Sequence, residues 1–270
     1  MIKLFRKIRY DLMEKNKTGK PAWPAGRYLK YAVGEIVLVV IGILIALSIN
    51  DWNENLKNKK LETTYLKRIY KDVDNDVLQF EETIQLAQKR NKRVLFLEQA
   101  IEDAQLVYTS PDYFVKSIVY ANYTYRPAIS NHSFEEIKSS GRLALIENED
   151  LRVSIAKYYD LEFSYSQFDF IREDIQLKYN EYSRGILNQE QLNWVITTYY
   201  FPDSLSNISK KELDEIYQRF LSKKEFHSVL PQVFESKYST IESMGVSTKQ
   251  AEKLKREIRD ELNRISNEKK

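Results

Sequence analysis

The hydrophobic positions of the chain form one apolar run near the N-terminus and a periodic pattern after it. Residues 31–49 contain a single charged residue, Glu35. A helix rises 1.5 Å per residue, so a helix of this length spans about 28 Å, close to the ~30 Å hydrocarbon core of a bilayer. The run therefore predicts a transmembrane helix over 28–50. No other stretch of the sequence is comparably apolar, so we expect a single span.

Apolar residues after the run recur at alternating steps of four and three, the heptad spacing of a helix with one buried seam. The seam consists of Leu66, Tyr70, Val73, Val77, Phe80, Ile84, Ala87, Asn91 and Val94. Residues 53–106 contain neither Gly nor Pro, so the span is expected to continue toward one long helix there. Two interpretations remain open. The helix is either a self-associating coiled-coil stalk in which Asn91 fixes the register, or the first helix of an intramolecular bundle.

Capping and stop residues divide the rest of the chain into further helices, and we find no convincing strand. Ser133–Glu136 has the sequence of a capping box, and Asn148 is placed to cap a long helix. Glycines suited to end a helix occur at Gly141, Gly185 and Gly245. The predicted helices cover 110–123, 133–141, 148–184, 190–200, 209–222, 224–244 and 247–267. The expected fold is all-α, with a helical-bundle soluble domain, and only 7 Gly and 6 Pro in 270 residues agree with long helices.

Basic residues are concentrated before the apolar run. Residues 1–30 hold nine Lys or Arg and two Asp or Glu, a net charge of +7, whereas the whole chain carries +3. The positive-inside rule then places the N-terminus in the cytoplasm and the chain beyond residue 52 across the membrane, although basic residues between 57 and 68 weaken the contrast. Aromatic residues that suit the two interfaces are Trp23, Tyr28, Tyr31 and Trp52.

The first residues also carry a helical pattern. Apolar residues among the basic ones recur at Ile2, Phe5, Ile8 and Leu12. This predicts a basic amphipathic helix over 1–20, which either lies on the anionic inner leaflet or serves only as a topology signal. Nucleic-acid binding is not expected, because no recognition motif follows. A cleaved signal peptide, with Ala46 and Ser48 as small residues at the cleavage site, fits less well because the basic region is long. The expected parts are 1–20, 28–50, 53–106 and a periplasmic helical domain at 107–270.

Glu35 is the residue of the apolar run whose presence most needs an explanation. Inserting a carboxylate at the centre of a membrane helix costs roughly 2.5–3.5 kcal/mol, and less near the edge of the membrane. Gly42 and Ala46 form a small-xxx-small pair, and Gly42 lies on roughly the same helix face as Glu35. We expect these three residues to form a helix–helix interface. The alternatives are that Glu35 reaches the aqueous edge of the membrane, beside Lys30, or takes part in ion coupling.

Composition argues against an enzyme. The chain has no Cys and two His, so thiolate chemistry is excluded and a histidine triad or His-rich metal site is not expected. No phosphate-binding loop, dinucleotide fingerprint, nucleophile elbow or zincin motif occurs. We therefore expect no catalytic residue, no cofactor and no metal.

Other candidate residues have simpler interpretations. Asp72, Asp74 and Asp76 imitate the first half of a calcium loop, but the required Gly and Glu are missing, so we expect a solvent-exposed helix face. His132 and His227 have no acidic partner at a telling spacing and are expected to be surface or partly buried residues. The 19 Tyr residues are assigned mainly to the margins of helical cores.

Two blocks of sequence resemble a family of single-pass proteins of unknown function from Gram-negative bacteria of the Bacteroidota type. The first is residues 31–54, YAVGEIVLVVIGILIALSINDWNE, behind the basic start MIKLFRKIR, and the second is residues 134–148, FEEIKSSGRLALIEN, followed by Leu151. The resemblance covers about forty residues. It implies an inner-membrane anchor with a periplasmic helical domain, and it supplies no catalytic residues.

The sequence thus leads to three functional hypotheses. The first is a non-enzymatic membrane-anchored protein that acts as an oligomeric scaffold or as a subunit of an envelope complex. The second is a channel or ion-coupled subunit that uses Glu35, and the third is a ligand-sensing helical bundle. The expected partners are the lipid bilayer, further copies of the chain and other envelope proteins.

Overall fold

A computed structural model gives the fold of the protein. The structure describes residues 24–123, 126–200 and 208–268, including their side chains except at 24–31, 161–170 and 198–200. It is 87% helical, and no strand occurs in the part of the chain that it describes. The predicted all-α fold is therefore confirmed. The amphipathic helix predicted over 1–20 and Trp23 lie outside the described residues, as do the side chains of Tyr28 and Tyr31.

The first helix, α1, covers Pro24–Glu102 and contains both the apolar run and the seam. The helices that follow are α2 (Ala104–Thr109), α3 (Pro111–Tyr120), α4 (His132–Ser139), α5 (Glu149–Tyr182), α6 (Gln189–Tyr200), α7 (Lys210–Ser222) and α8 (Lys224–Asn267), with a 3₁₀ turn at Leu143–Leu145 between α4 and α5. The chain divides into two compact units, residues 1–58 and 59–270. The second unit is a helical bundle, and the first is described by itself below.

Helix α1 ends four residues before the predicted boundary at 106. The reason is Asp103, whose backbone is extended and whose side chain accepts a hydrogen bond from the amide of Gln105 at 2.9 Å. An Asp in this conformation is an N-cap, which begins a new helix instead of extending the old one. The short helix α2 is the result.

Several predicted helix ends are confirmed. The side chain of Asn148 accepts from the amide of Leu151 at 3.1 Å and caps α5. Ser209 caps α7, in a capping box with Glu212. Gly141 and Gly185 have positive φ angles of 69° and 84°, the left-handed conformation that a glycine after a helix adopts readily.

Two predicted boundaries are wrong. Ser133 does not cap α4, because it lies inside the helix with its amide directed to the carboxylate of Asp72 at 3.3 Å. Gly245 does not stop a helix, since α8 continues through it from Lys224 to Asn267. Met244 and Ala251 on either side are buried in the same core, and their burial outweighs the helix penalty of about 1 kcal/mol for one glycine.

The bundle contains two separate hydrophobic clusters. The near core, next to residue 59, is formed by the first part of the α1 seam, α4, the first half of α5 and the last half of α8. The far core is formed by the end of α1 with α2, α3, α6 and α7, the end of α5 and the start of α8. Helices α1, α5 and α8 contribute to both cores. Between the two cores, α1 near residues 85–93 and α8 near residues 235–243 contain no large buried apolar side chain, while the α5 side chains 161–170 lie outside the described part.

The continuity of α8 at Gly245 can be tested by two matched substitutions. A Cβ atom at Gly245 would have no atom within 4 Å, so Gly245→Ala should raise the free energy of unfolding by about 0.5–1 kcal/mol. Gly185→Ala should instead lower it by more than about 1 kcal/mol, because Ala is strained at a φ of 84°. Urea unfolding of the full chain in detergent, followed by circular dichroism, measures both. A destabilised Gly245→Ala variant would restore the predicted helix stop.

Candidate functional site

The apolar run of α1 is exposed along its whole length. Val33, Ile36, Leu44 and Ile49 are each more than half exposed, and none of residues 32–49 is buried. Within the described part of the chain, α1 has the one apolar segment that is long enough to cross a membrane. The structure thus shows a segment that could span a membrane by its length and composition.

The predicted helix–helix interface lies on this segment. Glu35 and Ala46 are exposed and Gly42 is half-buried, and a Cβ atom at Gly42 would have no atom within 4 Å. The face that these residues share is therefore open in a single copy of the chain. Trp52, the aromatic residue predicted at the far interface, is 65% exposed.

The predicted coiled-coil seam faces the interior of the bundle. Its buried members are Leu66, Val73, Val77, Phe80, Ala87, Asn91 and Val94, while Tyr70 and Ile84 are half-buried. The near core takes up the first part of the seam, and Val94 belongs to the far core. The chain's own helices thus cover the seam between residues 66 and 94, which agrees with the second interpretation, the first helix of an intramolecular bundle.

The acidic triplet does not form the solvent-exposed face that the sequence suggested. Asp76 is fully buried and accepts hydrogen bonds from the amide of Ser130 at 2.7 Å and from the hydroxyl of Tyr158 at 2.8 Å. Asp72 is half-buried, and Asp74 forms an ion pair with Lys255 at 2.7 Å. Two of the three carboxylates thus bind backbone amides of the segment around α4. The spacing of four residues between Asp72 and Asp76, which places both on one helix face, was the available signal.

A second group of charged and polar residues lies at the end of the bundle that contains residue 59, and we call it the near-end charge cluster. It comprises Lys59, Glu62, Asn148, Glu261, Arg264 and Glu268. The carboxylate of Glu62 accepts the amide of Glu147 at 2.8 Å, and that of Glu261 accepts from Asn148 at 2.9 Å and Arg264 at 2.6 Å. Burial raises the pKa of Glu62, whereas the bond from Arg264 lowers the pKa of Glu261. The cluster joins α1, the N-terminal end of α5 and α8.

The layer between the two cores contains buried polar side chains from several helices, and we call it the mid-bundle layer. Lys237 of α8 is 3% exposed, and its Nζ donates one hydrogen bond, to the carbonyl of Asn122 at 3.5 Å. Burial, and then the charges of Arg90 and Arg172, lower the pKa of Lys237 to about 7. Asn91 of α1 is 8% exposed, and its Oδ1 is buried with no hydrogen-bond partner. Sequence reasoning singled out Asn91 but missed Lys237, which no motif marks.

The two histidines have ordinary surroundings. His132 is exposed at the start of α4. His227 is half-buried against the ring of Phe220, with its Nε2 2.9 Å from the carbonyl of the same residue. Burial lowers the pKa of His227. Among the described residues no group of three His, Cys, Asp or Glu side chains is arranged to hold a metal ion.

The fold and these sites define a class: helical proteins in which one N-terminal helix carries an apolar segment of membrane-spanning length. A family model described as "Family of unknown function (DUF6090)" matches residues 35–198. Because the match covers more than half of the 270 residues, the chain belongs to this family. No curated protein and no solved structure matches the chain.

Asp76 and Asp74 provide a matched test of the buried acidic site. Asp76→Ala leaves the amide of Ser130 and the hydroxyl of Tyr158 without this buried acceptor, so we expect a loss of about 2–4 kcal/mol in the free energy of unfolding. Asp74→Ala removes a half-exposed ion pair and should cost less than about 1 kcal/mol. Urea unfolding of both variants measures the difference. Equal losses would mean that Asp76 is solvated, as the sequence suggested.

Proposed function

We propose that the protein is a non-enzymatic, membrane-anchored scaffold or subunit of an envelope complex. In this proposal the apolar part of α1 spans the inner membrane, the N-terminus is cytoplasmic and the bundle is periplasmic. The observation that carries the proposal is the exposure of the apolar run, in which Ile36 is 62% and Leu44 56% exposed. Exposing so much apolar surface to water is costly, and a bilayer removes that cost.

The contacts of the bundle support a structural role. The near-end charge cluster and the acidic triplet use their charged groups to hold one segment of the chain against another. Neither group combines a nucleophile with a base, and neither histidine does so. A protein whose polar residues form internal contacts is better suited to bind other proteins through its surface than to catalyse a reaction.

The orientation rests on the distribution of charge. Residues 1–30 carry +7, whereas the run is followed at once by Asn50, Asp51, Asn53 and Glu54. Translocation disfavours Lys and Arg close to a span, so the basic flank is proposed to remain in the cytoplasm. The same flank would then face the anionic lipids of the inner leaflet.

Topology is tested by a reporter that is active only in the periplasm, fused after Lys270. We expect the fusion to be active, and protease added to spheroplasts should digest the chain from about residue 55 onward, since the bundle is proposed to lie outside the cytoplasm. A cytoplasmic marker protein that stays intact in the same sample controls for lysis. Protection of the bundle together with an inactive fusion would reverse the orientation.

The open face of the apolar run supports self-association. A polar side chain and two small residues on one membrane helix favour close packing and interhelical hydrogen bonds, each worth about 0.6–2 kcal/mol. Glu35 and Gly42 stand seven residues apart, so both fall on one face. We propose that Glu35, Gly42 and Ala46 form the contact between copies of the chain.

Substitutions at Glu35 separate its possible roles. Glu35→Gln keeps the hydrogen-bonding capacity and should assemble like the wild type, whereas Glu35→Leu removes it and should weaken assembly roughly threefold to thirtyfold. Gly42→Leu should weaken assembly by bulk, and Ile43→Leu, on a different face, is the control. Native mass spectrometry in detergent gives the oligomer populations.

Each outcome of that experiment selects a role. Normal assembly of Glu35→Gln with loss of a conductance would favour the second hypothesis, an ion-coupled subunit. Unchanged assembly in Glu35→Leu and Gly42→Leu would rule out this interface.

A further inference from the structure

Two large apolar residues of α1 lie beyond the end of the apolar run. Residues 50–58 are otherwise polar or charged, but Trp52 is 65% exposed and Leu56 is 49% exposed. At about 1.5 Å per residue, Trp52 lies about 5 Å and Leu56 about 10 Å beyond Ile49, the last residue of the run. With the run in the hydrocarbon core, as proposed above, Trp52 is at headgroup level and Leu56 is outside the hydrocarbon. We call Ile49, Trp52 and Leu56 the juxtamembrane stripe.

The juxtamembrane stripe continues the spacing of the proposed membrane contact. Two series of residues, three positions apart, recur at steps of seven along α1. The first series is Glu35, Gly42, Ile49 and Leu56, and the second is Leu38, Ile45 and Trp52. These are the two positions that form the seam of a parallel coiled coil. The polar residues of 50–58 all fall outside both series, so the apolar side chains of this segment lie on one side of the helix.

A shallow apolar groove lies beside the stripe. Its lining residues are Ile41, Leu44, Ile45, Ser48, Ile49 and Trp52. Ser48 has a small side chain, which turns back and donates a hydrogen bond to the carbonyl of Leu44 at 2.8 Å. The lining side chains are exposed in the described part of the chain. In knobs-into-holes packing, side chains of a facing helix enter hollows of this kind.

A second copy of the chain is the occupant that fits this surface, and this step rests on the proposed membrane anchoring. Every copy enters the membrane in the same orientation, so the same residues of neighbouring copies lie at the same height. A parallel pair then places each Trp52 and each Leu56 beside its equivalent. Lipid chains do not reach Leu56, and the basic N-terminal residues are proposed to lie on the other side of the membrane.

We propose that the juxtamembrane stripe is a self-association surface, in which two copies pack as a short parallel coiled coil outside the hydrocarbon core. The pairing removes the apolar side chains of Ile49, Trp52 and Leu56 from water and extends the membrane contact beyond the bilayer. The next seam position is Lys59, which forms an ion pair with Glu268 of α8 at 3.1 Å. The paired segment therefore ends at Leu56.

Disulfide cross-linking between copies tests the stripe directly. The chain contains no Cys, so single cysteines are introduced into the full chain without removing native ones. The variants are oxidised with copper phenanthroline in membrane vesicles, and linked dimers are quantified on a non-reducing gel. A disulfide requires Cα atoms within about 7 Å, a distance typical of seam positions in a parallel pair. We expect Ile49→Cys, Trp52→Cys and Leu56→Cys to give at least about threefold more dimer than Asp51→Cys and Glu54→Cys, on the opposite side of α1.

A matched pair of glutamine substitutions gives a second readout. Leu56→Gln should raise the dissociation constant of the assembly about tenfold, because each copy loses a buried apolar side chain. Glu54→Gln introduces the same residue on the other side of the helix and should assemble like the wild type. Native mass spectrometry in detergent measures both variants.

Ala46→Cys separates this inference from the proposed membrane contact. Linked dimers at Ala46→Cys, without dimers at Trp52→Cys and Leu56→Cys, would overturn the stripe and leave the membrane contact intact. Dimers at the stripe alone would retain the stripe and contradict the membrane contact. Equal linking at stripe and control positions, or no linking at any position, would overturn the stripe as a contact between copies. The latter result would assign its cover to lipid, to another part of the chain or to a different protein.

Discussion

The buried face of α1 is the constraint on which the rest of the bundle depends. Its apolar residues belong to both cores, and its polar residues accept hydrogen bonds from the chain segments that pack against it. Glu62 accepts the amide of Glu147, and Asp76 accepts the amide of Ser130. A buried N–H without an acceptor costs about 1–3 kcal/mol, so these two carboxylates fix where the segments before α4 and before α5 lie on α1. The short elements between α3 and α5 are thus positioned by polar residues of a helix far away in sequence.

Helical periodicity located this face but could not identify what covers it. Val73 and Val77 have the same spacing in a coiled coil and in a bundle, because both bury one stripe of a helix. The deciding information is tertiary: the near core includes Ile155 of α5 and Ile258 of α8, which no local pattern connects to α1. The burial of Asp76 was not predicted for a related reason. Its partner is the backbone amide of Ser130, in a loop, and no residue type marks a backbone amide as a hydrogen-bond partner.

Local sequence signals were reliable where a structural feature depends only on residues close together in the chain. Asn148 caps its helix with an amide three residues away, and the glycine at 185 needs a positive φ that few residues adopt. Gly245 is also a glycine, but its position does not require a positive φ, because α8 continues through it with core residues on both sides. The family match shows a similar limit. It ends at residue 198, yet Asn148 within it bonds to Glu261 of α8, so the matched residues alone do not contain the contacts that complete the near core.

Asp76 and Lys237 are two buried ionisable residues with different surroundings. Both are buried, charged in their usual form and located on helices that line a core. Asp76 has an amide and a hydroxyl as donors within 2.8 Å, so its burial is offset inside the chain. Lys237 donates to one carbonyl at 3.5 Å, and burial together with the charges of Arg90 and Arg172 lowers its pKa to about 7.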